Sequence, residues 1–489
     1  MNRAVDERRI FWGILFAAIV VRLLAFNPWS AHHPDELIQY LEQAHRIVFG
    51  YGVVPWEFRY FIRSWLIPLM LVPPMQLGEW LDPGGQLYLV LPRLMVAAIN
   101  FGPVVAGWYI GRRFSLQHAI IVMVVMAFWI ESVHFSVQTL SESMAVSFFM
   151  IAAALLKPSA KFRNIIVAGA LIALAGIMRF QFGPAMAVFG AMVAGKDLRI
   201  WKGLFAGGVP VLVAGGLIDV AMGLWPYEWI YTNYAMNIAG GKMQAIAGPG
   251  DPLTYAAQWV TNWGPFALVI PILAMIGWRR YPALAAAAAV NLVLHQFVDH
   301  KEYRYIWLTM EIVLLLAALG SVDLLKKSLF GRRVSNPESA NMTVGLAMAW
   351  IITSVYLSTT EPHRHQFRIE NEPAMLAAKT IRNPAVCGMA VPQHVYWQFG
   401  YALLHADKPV FLIPVTGNPN RNEPGASAAG YNAIITFPDD RGPPAPWRKL
   451  GCTGEGNEAS CLFVRPGACQ MTPAAQHQLF QRVLYRMDM

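Results

Sequence analysis

Charged side chains are scarce in this chain, 14% of its 489 residues, against about a quarter in an ordinary soluble protein. With 56% hydrophobic residues, 17 Trp, 26 Phe and 23 Met, that scarcity excludes disorder and coiled coil, and it marks the apolar stretches as membrane spans. Cysteine is absent before Cys387 and then occurs at Cys452, Cys461 and Cys469 as well. An even set confined to one polar segment fits an oxidising compartment such as the periplasm, and its spacing fixes no zinc site. Cys452 and Cys461 flank a polar, glycine-containing stretch that can close as a hairpin, which makes them the preferred pair and Cys387 with Cys469 the second. Also missing are a Walker A loop, a zinc-type histidine pair, a Gly-rich dinucleotide fingerprint and a nucleophile elbow. Those gaps argue against ATP or a nucleotide sugar as direct substrate and favour an activated group carried on a lipid. The net charge of +9 belongs to short cytoplasmic loops, as is usual for a membrane protein, and not to nucleic-acid binding.

Apolar runs fall at about 10–26, 86–110, 117–131, 140–156, 164–178, 182–195, 203–224, 262–277, 282–296, 305–321 and 342–358, giving about eleven transmembrane helices in an α-helical polytopic protein. The mixed charges Arg3, Asp6, Glu7, Arg8 and Arg9 and the lack of a small-residue cleavage site make the first run a retained span. Basic clusters at Arg112/Arg113, Lys157/Lys161/Arg163, Lys196/Arg199/Lys202, Arg279/Arg280 and Lys326/Lys327/Arg332/Arg333 mark every second junction as cytoplasmic. The run Trp65 to Leu81 holds Pro68, Pro73 and Pro74. Counting it as a crossing would put those clusters outside, so it reads as a re-entrant or interfacial helix. The resulting division is a membrane domain at 1–359, with a first external loop at 27–85, and a periplasmic domain at 360–489. In the latter, strand-like runs at Val386–Val391, Val410–Pro414, Ala433–Phe437 and Cys461–Val464, with a helical stretch near Val395–His405, predict a small α/β fold.

The external loops collect the residues that mix charge with aromatics. The first reads His32-His33-Pro34-Asp35-Glu36, then Gln39, Trp56-Glu57 and Ile62-Arg63-Ser64. Pro34 restricts the backbone before a helix begins, so Asp35 and Glu36 sit at a helix start, where a carboxylate serves as a base or as a cap. A second cluster is Asp299-His300-Lys301-Glu302-Tyr303-Arg304-Tyr305. Its cations suit a phosphate headgroup, and equally an interfacial belt of Lys, Arg and Tyr. Glu131, His134, Gln138, Glu142, Arg93, Arg179 and Asp219 lie in or beside apolar runs, and each ionisable one is costly there, by roughly 2.5–3.5 kcal/mol, so each is a functional candidate.

These motifs together resemble glycosyltransferase family 22, the polyprenyl-phosphate-mannose-dependent mannosyltransferases. His33-Pro34-Asp35-Glu36 with Gln39, Trp56-Glu57 and Ile62-Arg63-Ser64 is similar to that family's first luminal loop. Pro92-Arg93-Leu94, Thr139-Leu140-Ser141-Glu142, Arg179-Phe180, Asp219 and His300-Lys301-Glu302-Tyr303-Arg304-Tyr305 follow in the family's order over about residues 10–320. Where eukaryotic members usually carry Arg before Thr-Leu-Ser, this chain has Gln138. The resemblance implies a C-type glycosyltransferase fold in a bacterial inner membrane and inverting transfer of mannose from a polyprenyl-phosphate donor to a glycan or glycolipid acceptor. It implies Asp35 as base and Glu36 as a second catalytic residue that orients either Asp35 or the acceptor. His300, Lys301, Arg304, Arg63 and Arg179 would hold the donor phosphate; His33, Gln39, Trp56, Glu57, Glu142 and Asp219 would bind substrate. No cofactor or metal is expected, because protein cations can neutralise the leaving phosphate. The competing expectations are a related lipid-linked transferase using arabinose or glucose, and a lipid or solute transporter.

Overall fold

The computed structural model describes residues 2–241, 250–328, 336–367, 371–392, 398–413, 430–436, 446–453, 460–467 and 469. Arg332, Arg333, Pro414, Phe437 and 395–397 of the expected tail helix lie outside them. The protein is a predominantly helical, polytopic membrane protein with a small C-terminal sheet. Two compact units divide the chain: residues 1–26, 64–66 and 95–368 form one, and residues 27–63, 67–94 and 369–489 the other.

The apolar runs fall on helical segments, with 117–131 and 262–277 each crossing a bend between two helices. By length and apolarity alone, four helices among the described residues can cross a membrane: Leu87–Arg112, Leu198–Ala221, Tyr303–Lys327 and Glu338–Ser358. Two bent pairs raise that to six, and Ser141–Leu155, Phe162–Met178, Phe180–Ala194 and Pro282–Gln296 are shorter apolar helices. The proline-rich Leu66–Leu81 forms a 16-residue helix, too short for that set.

The break between Leu116–Phe128 and Ile130–Ser136, a 60° bend, bears on the first unit's polar cluster because it leads into Thr139–Glu142. A helix that stops inside lipid leaves carbonyls without partners, at several kcal/mol each. Here Arg22 donates to Met126 O at 3.0 Å and Ala127 O at 2.7 Å, and Ser354 donates to Phe128 O at 2.7 Å. Beyond the break, Glu131 Oε2 accepts the indole N–H groups of Trp129 (3.0 Å) and Trp263 (2.7 Å), and His134 bonds Gln138. Those intramembrane polar residues therefore hold the bend.

In the second unit, β1 (Met389–Pro392), β2 (Val410–Ile413), β3 (Ala433–Thr436), β4 (Arg448–Thr453) and β5 (Ser460–Val464) make one mixed sheet in the order β2-β1-β3-β5-β4. The inner strands β1 and β3 are buried along their length, and β5 is buried at Ser460 and Leu462. β4 was absent from the sequence expectation because Arg448 and Lys449 give it no apolar run; charged residues of this kind suit an exposed sheet edge. Cys452 faces Cys461 across the antiparallel β4–β5 pair and is bridged to it, and Cys387 is bridged to Cys469. Both pairings match the expectation. Intact mass after alkylation without reductant should therefore show no added label; four labelled thiols would refute both bridges.

Candidate active site

Asp35 opens a seven-residue π-helical turn, Asp35–Leu41, which continues as the helix Glu42–Phe49. Pro34 supplies the fixed φ before it. The wider winding is typical of functional segments, and here the Gln43 amide bonds Ile38 O at 2.9 Å. Asp35 is 8% exposed and held from several directions. Gln39 Nε2 donates to its Oδ1 at 2.8 Å, Arg63 lies 3.8 Å from its Oδ2, and His33 Nδ1 lies 3.5 Å from Oδ1. Gln39 Nε2 also donates to Glu57 Oε1 at 2.8 Å. One amide thus ties two acids together, with Arg63 beside Asp35.

Glu36, the next residue, is fully buried. Its Oε1 accepts the backbone N–H groups of His32 (2.9 Å) and His33 (3.2 Å), which are among the N–H groups that precede a helix without intrahelical partners. It also lies in the field of Arg93, whose guanidinium donates to Ser30 O at 2.6 Å. The second acid of the motif therefore fastens the loop, while the first carries the polar contacts that suit a base. Trp56 opens the short helix Trp56–Arg59 and sets Glu57 against Gln39.

Burial pushes the Glu57 carboxyl up to about 7, with Arg63 opposing and Asp35 adding to the rise. Glu57 then keeps its proton in the folded chain up to about pH 7, but only to its ordinary 4.5 when unfolded. The folded state therefore loses stability as pH rises between those values, and the loss is complete above them. Glu57→Gln cannot ionise, so its stability relative to the parent should climb through this window by on the order of 3 kcal/mol. Melting temperatures of the two proteins against pH measure this. A difference that does not vary with pH would contradict it.

The first unit brings together a second group. Glu142 is fully buried near the start of Ser141–Leu155. Its Oε1 lies 3.3 Å from Arg179 Nη2 and 3.2 Å from Arg304 Nη1, and Ser141 donates to its Oε2 at 2.9 Å. Arg304 also pairs with Glu302, which takes in His300 and, at 3.1 Å, the Tyr305 hydroxyl. Both guanidinium groups lie over the Tyr305 ring, at 4.8 Å and 5.1 Å. Arg179, Arg304 and Glu142 therefore form one buried charge cluster, with Arg304 bridging two acids.

Three expected site residues take other positions. Lys301 Nζ bonds Val298 O at 2.7 Å. His300 reaches the cluster through Glu302. Asp219 Oδ2 accepts from Tyr227 N at 2.9 Å and Trp229 Nε1 at 3.2 Å, so its carboxylate secures the turn after its helix; Trp229 packs on Phe180, next to Arg179. Glu302 and Tyr305 were visible as part of a charged motif but had no assigned role. Their function as linkers depends on which side chains the fold brings to them.

Residues 12–213 match the model of the Alg9-like mannosyltransferase family. Among curated relatives, Mannosyltransferase APTG1 of Arabidopsis thaliana is 44% identical over 69 residues, 14% of this chain and 12% of that protein. GPI mannosyltransferase 3 of Trypanosoma brucei brucei is 24% identical over 368 residues, 63% of this chain and 64% of that protein. The chain thus spans less than two thirds of the length of these relatives. The crystal structure of ArnT from Cupriavidus metallidurans bound to undecaprenyl phosphate superposes with a TM-score of 0.56 at 13% identity, covering 94% of this chain and 98% of that one, which shows a shared fold. The resemblance to glycosyltransferase family 22 is borne out, over a segment that holds Asp35, Glu57, Arg93, Glu142 and Arg179 and on a fold shared with ArnT.

Proposed function

We propose that this chain is a mannosyltransferase that moves mannose from a polyprenyl-phosphate donor to a glycan or glycolipid acceptor, with inversion, on the periplasmic face of a bacterial inner membrane. The observation that carries the reading is Asp35: an acid beside Arg63, oriented by Gln39, inside the segment that matches the Alg9-like family. In the reaction an acceptor oxygen attacks the anomeric carbon of the donor. The C–O bond to phosphate breaks, its electrons stay with the phosphate, and the acceptor proton passes to Asp35. Negative charge grows on the leaving phosphate, and fixed cations that meet it lower the barrier. Arg179 and Arg304 are the candidates for that work, held in place by Glu142 and Glu302.

The relatives' names support a mannosyl group, and the lipid phosphate in the ArnT complex supports a polyprenyl carrier. The paired cysteines of the C-terminal segment support its placement in an oxidising compartment. Purified protein given radiolabelled polyprenyl-phosphate mannose, glucose or arabinose, together with glycolipids and glycans extracted from the host, tests the reading. Mannose should be transferred in preference. Preferential transfer of either other sugar would reassign the donor.

A further inference from the structure

Glu42 lies on the same continuous helix as Asp35, seven positions further along, and is fully buried. A buried carboxylate is costly unless its oxygens are satisfied. The partners of Glu42 come from the loop that follows its helix and from the C-terminal segment. Oε1 accepts Val53 N–H at 2.8 Å, and Oε2 accepts Ala402 N–H at 2.7 Å, across 360 residues of sequence. The same contact is tight at Gly400, where a Cβ would lie 3.0 Å from Glu42 Oε2 and 3.1 Å from Leu37 Cδ2. One turn beyond Glu42, His45 Nε2 meets His405 Nδ1 at 3.2 Å. His405 stacks on Tyr88 with ring centroids 3.9 Å apart, and the Tyr88 hydroxyl donates to Ala402 O at 2.9 Å. His405 itself holds a left-handed backbone, φ 47°, uncommon outside glycine and kept only where its surroundings enforce it. Segment 400–405 is therefore fastened along the helix that begins at Asp35.

We infer that the C-terminal segment is a working part of the Asp35 loop, and that Glu42 is the positioning residue through which residues 400–405 fix the orientation of the Asp35 helix. This rests on the reading of Asp35 as base. Glu42 touches no substrate; it acts through the helix it shares with Asp35. Stranding a buried acid without its hydrogen bond is costly, and a small misplacement of a reacting group can cost about 10²-fold in rate. The C-terminal segment lies outside the family match at 12–213.

The test compares the full-length parent with Glu42→Gln, Gly400→Ala and Asp35→Asn by amide hydrogen exchange and by transfer kinetics with polyprenyl-phosphate mannose. Glu42→Gln keeps the size but replaces one accepting oxygen with a donor. Gly400→Ala presses on the same contact from the other side, and keeps the idea testable if the first variant fails to fold. Both should speed exchange at Ala402 and along 37–45 by about tenfold or more. Both should lower kcat by roughly tenfold to a hundredfold, with KM for the donor changed less than about twofold. Asp35→Asn should exchange like the parent. Parental exchange along 37–45 in folded Glu42→Gln or Gly400→Ala, or faster exchange there with parental kcat, overturns the inference. Full turnover in Asp35→Asn would instead remove the base reading, leaving the exchange result to decide whether the segment fastens the helix.

Discussion

Replacing Asp35 with Asn should leave a protein that inserts, folds and melts like the parent, yet loses roughly 10²–10⁴ in turnover, the usual worth of a positioned base. Asn keeps the size, can still accept from Gln39, and can still cap a helix start. What it cannot do is take a proton at neutral pH. The substitution therefore separates the two roles open to an acid at this point in the sequence. Glu36→Gln is the internal control: an amide oxygen can go on accepting the N–H groups of His32 and His33, so the loss there should be smaller. The measurement is transfer rate at saturating donor with purified variants of matched melting temperature. Near-parental turnover of Asp35→Asn would take the base out of this loop.

Arg304→Ala should produce the second large effect. Arg304 bridges Glu142 and Glu302, so its removal takes away a candidate phosphate ligand and leaves the fully buried Glu142 more dependent on Arg179. Losing one partner of a desolvated charge pair costs about 2–5 kcal/mol. Donor use, read as kcat/KM for the polyprenyl-phosphate sugar, should then fall by roughly 30-fold to several thousand-fold. Arg304→Lys should recover only part of this, because a single ammonium does not reproduce the planar fork that spans two carboxylates. Parental donor kinetics in a folded Arg304→Ala protein would return the cluster to the role of an interfacial belt.

Much of this arrangement was legible in the sequence, for reasons tied to particular residues. Asp35, Glu142, Arg179 and Arg304 stood out because charge is rare in this chain and expensive beside apolar runs. The Cys452–Cys461 bridge could be read because it is local, closing a hairpin between neighbouring strands. What the sequence did not reveal depends on which groups the fold brings to each side chain. That Glu36 also accepts the His32 and His33 backbone N–H groups depends on how the loop turns back. That Asp219 accepts from Tyr227 and Trp229 depends on the turn that follows its helix. Glu42 gave no signal at all, since its partner is 360 residues away. Strand β4 was missed because an edge strand with Arg448 and Lys449 lacks the apolar alternation that announces buried ones.

The arrangement also bears on the transporter alternative. Intramembrane charge in a transporter lines a water-filled substrate path. Here Arg22 and Glu131 are spent on holding a helix break and its tryptophans, and Glu142 is locked between two arginines. Fixed charge of this kind suits a preorganised reaction site, where dipoles and ions need no rearrangement as the reaction proceeds.

The central claim, transfer and not transport, is tested most directly in sealed proteoliposomes carrying polyprenyl phosphate labelled in both lipid and sugar, with host acceptor on the outside. The account predicts that sugar label appears on the acceptor one for one with free polyprenyl phosphate, and that Asp35→Asn abolishes both together. Intact labelled donor crossing the bilayer with its sugar still attached, at a rate unaffected by Asp35→Asn, would contradict it.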